Sequence, residues 1–544
     1  MSYSIEQEAS RILHEVLLAD PALDLATTIV EAAKKVHFTG NRSKPFVPAP
    51  VKLTESSASL TALVAAAASA IAEARYGIGY QDIEVNTDAA TLFLESVLLP
   101  TINGRSYGES QEMMKELSKM DLHDMVSPIR RYATSIYQTK DGRWFQLHGS
   151  MNADRTMEML GVKMQKVTRK EAAQIYKEKV AQWDSHEIER VANDESRQAG
   201  VICYTPDEFF KSKQGKIMGK EPLWTAKPIP GPRKQWPSCS DFDNEYKPLK
   251  GIRIIDYSRV IASPAISKIL AVLGADVIRV SYSEIPEYAT TMVDLQTGKR
   301  DVNLNLKTPE GKAAFSQLLQ GADVLVDGYR PGVLERLGFT STSMRKINPS
   351  LIYMRENCYG FKGPLANRSG WQQISDCLVG IAYLQGQFLG LDHPVIPLFL
   401  ANHFITNSDY QTGLVGAAAI LQALIKRTTE DTTYDIDISL TQYNIWFYRL
   451  GTYSEAQRKE LVEQDPDFHP HHLDDMTILT RKTHSSLVKV HPQLVQPEYF
   501  WEMDGSEWGI KDPIKILAPA FKFSKSKLEY MHPSGRRGRS KAML

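Results

Sequence analysis

The chain has 544 residues, 42% of them hydrophobic and 24% charged, which suits a globular protein of roughly two to four domains. Sixty-four Lys and Arg balance sixty-four Asp and Glu, and zero net charge argues against a dedicated nucleic-acid or anionic-membrane protein. No apolar run reads as long enough to span a bilayer; the longest, 60–74, is alanine-rich and carries Glu73. Cys203, Cys239, Cys358 and Cys377 are scattered without a CxxC pair, so a reducing compartment is expected.

The N-terminal stretch "MSYSIEQEASRILHEVLLADP" is amphipathic but acidic. It lacks the basic start of a signal peptide and the Arg-rich character of a transit peptide. A cytoplasmic location is therefore expected, with peroxisome and mitochondrion as alternatives. Met543 stands where a peroxisomal address would need a basic residue. Residues 60–94 read as a small-residue helix ending at Arg75, a polar loop, the alternating strand "QDIEV" and a further helix. The stretch 226–247, "AKPIPGPRKQWPSCSDFDNEYK", holds four prolines and few aliphatics. It reads as a linker, and a domain boundary is placed near residue 245.

From Leu249 onward the pattern becomes regular. "KGIRIIDYS" is a β-branched run, "PAISKILAVLGA" has helical spacing and stops at Gly274, and "DVIRVSY" is a second strand. Strand, helix, strand in that space predicts a βαβ unit and a parallel sheet. The alternation continues to "SLIYMRE", giving a doubly wound α/β domain. The first turn is "DYSRVIASP", with no GxGxxG, so a dinucleotide cofactor is not expected. Ligands are expected beyond the strand C-termini.

Residues 412–447 repeat the pattern of 60–94: a small-residue helix ending at Arg427, a polar loop, the strand "YDIDIS" and another helix. Such a repeated unit suggests duplication. Just before the second helix stands Asp409, where the first copy offers only Ser57 or Ala58. An Asp in that place reads as an N-cap or as a nucleophile. "FHPHHLDD" (468–475) supplies His469, His471, His472, Asp474 and Asp475, all metal-ligand types. Pro466 and Pro470 mark it as a loop, and no metal is expected. The basic tail "HPSGRRGRSK" reads as a solvated terminus.

Five segments in order resemble the family III CoA-transferases, also called the CaiB/BaiF family, which includes formyl-CoA:oxalate and carnitine CoA-transferases and, more distantly, α-methylacyl-CoA racemase. They are "LKGIRIIDYSRVIASPAISKILAVLGADVIRV", "GKRDVNLNLKTPEG", "ADVLVDGYRPGVLERLGF", "NPSLIYMRENCYGFKGP" and "SDYQTGLVGAAAILQALIKR". The resemblance implies a Rossmann-like large domain and a smaller α+β domain. The small domain reads as displaced here: "YATSIYQTKDGRWFQLHGSMNADRTMEMLG" and "VAQWDSHEIERVANDESRQAGVICYTPDEFF" resemble its parts, and "HPQLVQPEYFWEM" resembles the family's return segment. The chain thus reads as two incomplete fused copies. Residues 1–245 form a degenerate copy carrying the small domain, and 246–544 the Rossmann-like copy with the return segment. Family members form interlocked dimers, so the expected state is a monomer imitating a dimer, or a homodimer.

The activity implied is CoA transfer from an acyl-CoA to a free carboxylic acid, with CoA thioester as substrate and no cofactor. Asp409 would be the covalent nucleophile, and Gly413 would allow close approach of substrate. Val260, Ile261 and Ala262 would bind CoA through the backbone, Leu304 would sit near the adenine, and Arg336 would pair with phosphate. Ser281 and Tyr282 replace a basic residue, for which Arg279 or Arg300 could compensate. Trp371 occupies the racemases' His position and cannot accept a proton. Gln372 stands where transferases often carry an acid; it could hydrogen-bond the acyl group or be a structural amide. No glycine-rich covering loop is found. Isomerization, hydrolysis and a non-catalytic CoA-binding subunit are the alternatives.

Overall fold

The computed structural model describes residues 3–124, 126–238, 244–396, 407–465, 471–473, 489–494 and 496–541. Its largest sheet has seven strands: β1 (Thr225–Pro230), β2 (Arg253–Tyr257), β3 (Asp276–Ser281), β4 (Lys299–Asn303), β5 (Val324–Asp327), β6 (Ile352–Asn357) and β7 (Thr432–Ser439). Their order is β4–β3–β2–β5–β6–β7–β1. All neighbouring pairs are parallel except β7–β1. Four helices bear on the site: α1 (Leu53–Tyr76), α2 (Ala262–Val272), α3 (Gln372–Val379) and α4 (Asn407–Arg427).

Successive side chains of a strand point to opposite faces, and the two faces feed two cores. Ile254, Val277, Val324 and Ile352 pack into the core shared with α1, α2 and α4. Their neighbours Ile255, Ile278, Leu325 and Tyr353 pack with Phe315, Leu318 and Met344 on the other side. Burial on both faces explains why these strands read as continuous apolar runs. The expected doubly wound domain is therefore present.

Strand β1 corrects the expected linker. Its residues pair antiparallel with Thr432–Asp437. Pro228 and Pro230 are tolerated because β1 is an edge strand, where a missing N–H leaves no ladder bond unmade. Proline count alone does not separate an edge strand from a linker.

Helix α1 is a second correction. It runs for 24 residues, with Leu53 through Ala72 buried, and is long and apolar enough to cross a membrane by length and composition. It instead lies inside the protein, packed on α4 and on the helices Ile5–Arg11, Thr27–Ala33 and Thr87–Phe93. Small residues on both helices permit the approach.

The repeated unit is visible in the backbone. Helix α1 leads to strand Ile83–Asn86 and helix Thr87–Phe93, as α4 leads to β7 and helix Leu440–Arg449. In each, the last strand residue caps the next helix: Asn86 accepts from Ala89 N–H, and Ser439 from Gln442 N–H. The helix-terminal arginines also correspond, Arg75 donating to the carbonyls of Pro248 and Lys250 and Arg427 to that of Ser350. The first copy's strand joins no large sheet; it pairs with Val36–Thr39 and Phe521–Phe523. A small α+β unit lies in the N-terminal half. Strands Ser135–Gln138, Trp144–His148 and Ala199–Ile202 form an antiparallel sheet with its own core around Phe145, Leu147, Tyr176 and Ile188.

Candidate active site

A cavity of about 450 Å³ opens at the C-terminal edge of the large sheet, where an open α/β sheet leaves its ligand crevice. One wall comes from the C-terminal half: Arg259, Val260 and Ala262 after β2, Gly328 to Pro331 after β5, Glu356 to Cys358 at the end of β6, and Asp409. The other comes from the small unit of the N-terminal half: Ser150 to Asn152, Arg155, Arg197 and Gln198. Gly328 lets the two loops close on each other, since a Cβ there would collide with Ser263 and stand 2.8 Å from Ser258 Cβ.

Of the residues singled out in the sequence, Asp409, Val260, Ala262, Cys358 and Trp371 line this cavity. Ile261 turns into the core, 3% exposed, and its carbonyl accepts from Ala265 N–H at the start of α2. Leu304 is half-buried beyond β4, packed on the cluster that also holds Tyr329. Arg336 is exposed at the end of helix Val333–Arg336. Neither lines the cavity. Gly413 lies at the α2–α4 crossing: a Cβ there would stand 2.8 Å from Ala265 Cβ and 3.3 Å from the Ala262 carbonyl. Its small size serves helix packing behind the cavity wall. Arg279 and Arg300, the expected phosphate substitutes, are committed elsewhere. Arg279 is buried against Asp301 and Glu287, and Arg300 pairs with Asp276 at 2.7 Å.

Asp409 is the third residue of α4 and half-buried. It stands inside the first turn, not before it, so the N-cap expectation is corrected. Residues 397–406, which precede it, lie outside the described residues. In the first turn a carboxylate faces the positive end of the helix dipole. Its neighbour Ser408 donates to Asp376 Oδ1 at 3.2 Å. Asp376 also accepts from Asn444 Nδ2 at 2.8 Å and Gln372 Nε2 at 2.9 Å. Gln372 is thus buried in α3, outside the cavity lining, and braces the start of α4 through Asp376. Burial pushes the Asp376 carboxyl up to about 7 despite these donors.

Several cavity residues carried no weight in the sequence. Four arginines converge on it, Arg259 and Arg330 from one half and Arg155 and Arg197 from the other, beside a fifth, Arg368, which is paired with Asp194 and Glu189. Among the described residues none of the four pairs with a carboxylate. Desolvation lowers the Arg330 pKa, and repulsion from Arg259, Arg155 and Arg197 lowers it further. Four uncompensated cations around one opening make an anion site.

Glu356 is the second such residue. Ser263 Oγ donates to its carboxyl at 3.0 Å. Burial pushes that carboxyl up to about 7, aided by Asp327 and opposed by the Ser263 bond. Below that pH the folded chain keeps a proton that an unfolded glutamate releases near 4.5. The folded state therefore binds more protons in that window. The group's contribution to stability is full below about 4.5, falls as pH rises, and is lost above about 7. Glu356→Gln is expected to flatten the curve, its melting temperature falling less than the wild type's between about pH 5 and pH 8. An unaltered curve would show that Glu356 is not held protonated.

Trp371 lies flat on His148, with ring centroids 4.9 Å apart and an angle of 2°. His148 Nδ1 accepts from Ser150 N–H at 2.9 Å, and burial lowers its pKa to about 3. A neutral histidine of the N-terminal half thus packs on the position where racemases of the family carry their own histidine. Nothing in the linear sequence links the two.

A parallel sheet with an Asp and a cluster of arginines at its C-terminal edge forms a site suited to an anionic ligand, and comparison with known proteins gives the family. The model of CoA-transferase family III matches residues 249–473. The acetyl-coenzyme A transferase nodX of Hypoxylon pulicicidum is 33% identical, covering 98% of this chain and 92% of that protein. An acyl-CoA transferase of Gibberella moniliformis is 30% identical, over 79% and 76%. The crystal structure of a CaiB/BaiF family protein from Brucella suis aligns with 54% of this chain and 97% of its own, at 19% identity and a TM-score of 0.39. The chain belongs to CoA-transferase family III and is a CoA-transferase.

Proposed function

We propose that the chain moves CoA from an acyl-CoA to a free carboxylic acid through covalent intermediates on Asp409. The observation that carries this is the placement of the Asp409 carboxylate in one cavity with four arginines drawn from both halves. In the first step an Asp409 oxygen attacks the thioester carbonyl and the C–S bond breaks. The products are an acyl–aspartyl anhydride and CoA thiolate. The thiolate attacks the Asp409 carbonyl, giving an aspartyl thioester and releasing the donor's carboxylate. The acceptor carboxylate attacks that thioester, re-forming an anhydride and the thiolate. Attack of the thiolate on the acceptor's acyl carbon yields the new acyl-CoA and restores Asp409. Each step exchanges one carboxylate or thiolate for another, so no net proton transfer is needed.

The arginines suit the phosphates of CoA. The N–H groups of the first turn of α4 suit negative charge on the tetrahedral intermediates. The first of the two transferase relatives is named for acetyl-coenzyme A, so acetyl-CoA is the first donor to test. The acceptor is a carboxylic acid. Intact-protein mass after incubation with acyl-CoA, followed by hydroxylamine trapping, tests the route. A hydroxamate on Asp409 supports it, and transfer without any trappable adduct overturns it. An assay without acceptor separates transfer from hydrolysis.

That the cavity takes walls from both halves supports reading one chain as the counterpart of a family dimer. The expected species in solution is a monomer binding one CoA, measured by light scattering and equilibrium dialysis. Two CoA per chain would show that the N-terminal copy keeps a site of its own.

A further inference from the structure

We infer that His393, His471 and His472 hold one divalent transition-metal ion of the zinc class. The three imidazoles come from two distant stretches of chain, and one ring nitrogen of each lies within 4.8 Å of the others. Their ring centroids are 4.2 to 5.5 Å apart. A zinc ion with nitrogens at about 2.1 Å would space them about 3.4 Å apart, so side-chain shifts of about an ångström close the site.

The hydrogen bonds already orient two of the ligands. His393 Nδ1 lies 2.9 Å from Asp392 Oδ1. A carboxylate on one ring nitrogen keeps the proton there and leaves the other nitrogen's lone pair for a metal. That other atom, Nε2 of His393, is buried and has no hydrogen-bond partner. An unpartnered buried nitrogen is costly unless something occupies its lone pair. His472 Nδ1 lies 2.9 Å from the Ile136 carbonyl; since a carbonyl only accepts, Nδ1 carries the proton and Nε2 is left as acceptor. His471 is exposed and accepts from Leu473 N–H on Nδ1 at 3.1 Å, so it is the ligand that turns when the ion arrives. Trp144 flanks the group, its ring 4.7 Å from His472 and 5.6 Å from His393. Imidazole donors in an apolar wall suit zinc, copper or nickel better than magnesium or calcium.

None of the three histidines lines the cavity that holds Asp409. The ion lies apart from the chemistry of that cavity. It ties 471–473 to the small sheet, through Ile136, and to the turn that follows helix Ile381–Phe388. Three protein ligands leave a fourth position for water. His469, Asp474 and Asp475 lie outside the described residues and take no part in the assignment.

The test uses the full chain without a polyhistidine tag, stripped with chelator and titrated with Zn²⁺ by calorimetry. One ion per chain at micromolar or tighter affinity is expected. His393→Gln should weaken it at least 100-fold. His471→Gln, at an exposed position that leaves folding intact, should weaken it at least 10-fold. Absence of stoichiometric Zn²⁺ binding overturns the assignment, and so does binding that both variants leave unchanged.

Discussion

Asp409→Ala is expected to lower the rate of CoA transfer by at least about 10³-fold, because removal of a covalent nucleophile leaves only binding and polarisation of the thioester. The effect should appear in kcat and in kcat/KM alike. The binding constant for the acyl-CoA should change by no more than a few fold, since the arginines and the loop after β2 stay in place. Asp409→Asn gives a second control: it keeps the shape and hydrogen-bonding capacity of the first turn and should be as inactive as Ala. A structural role predicts the reverse, with Asn near wild type and Ala unstable. Transfer above a tenth of wild type in either variant would exclude Asp409 as the nucleophile. The bracing of its neighbour makes the prediction specific. Ser408 is fixed by Asp376, which Gln372 and Asn444 also hold. Removing the Asp409 carboxylate deletes the reacting group, while Ser408, Gln372 and Asn444 keep their bonds to Asp376.

The large domain was legible because its signals are local. The β-branched runs at 253–257, 276–281, 324–327 and 352–357 became strands, the helical spacing between the first two became α2, and Gly274 ended that crossover as its position suggested. The repeat was legible for the same reason, since helix, strand and capping residue recur in sequence. The errors share a different cause. The strand Thr225–Pro230 gains its identity from β7, some two hundred residues later, and proline hid it. Arg279 looked available for phosphate, but Asp301 and Glu287 surround it once the sheet forms. Gly413 and Gln372 were placed in the right neighbourhood with the wrong facing. One packs on Ala265 and the other turns to Asp376. Arg155 and Arg197 offered no signal at all, because their place depends on how the small unit docks on the sheet.

That docking gives the second large effect. Arg155→Ala and Arg197→Ala are each expected to raise KM for acyl-CoA roughly 10- to 100-fold with a smaller change in kcat, from the worth of a charge-assisted hydrogen bond of about 1.5–3 kcal/mol. Arg330→Gln on the opposite wall should do the same. The three substitutions should also lower the salt sensitivity of binding, since part of the attraction is screened Coulomb energy. Stability separates this from a general loss of structure. Arg330 is destabilised as a cation by Arg259, Arg155 and Arg197, so removing one charge should relieve repulsion in the ligand-free chain. Its melting temperature is then expected to rise while CoA affinity falls. Scaffold arginines would show both quantities falling together. Because Arg155 and Arg197 belong to the degenerate half, a KM effect at these positions would also give that half a reason to persist. It supplies Arg155 and Arg197 to the cavity, and with them the wall opposite Asp409.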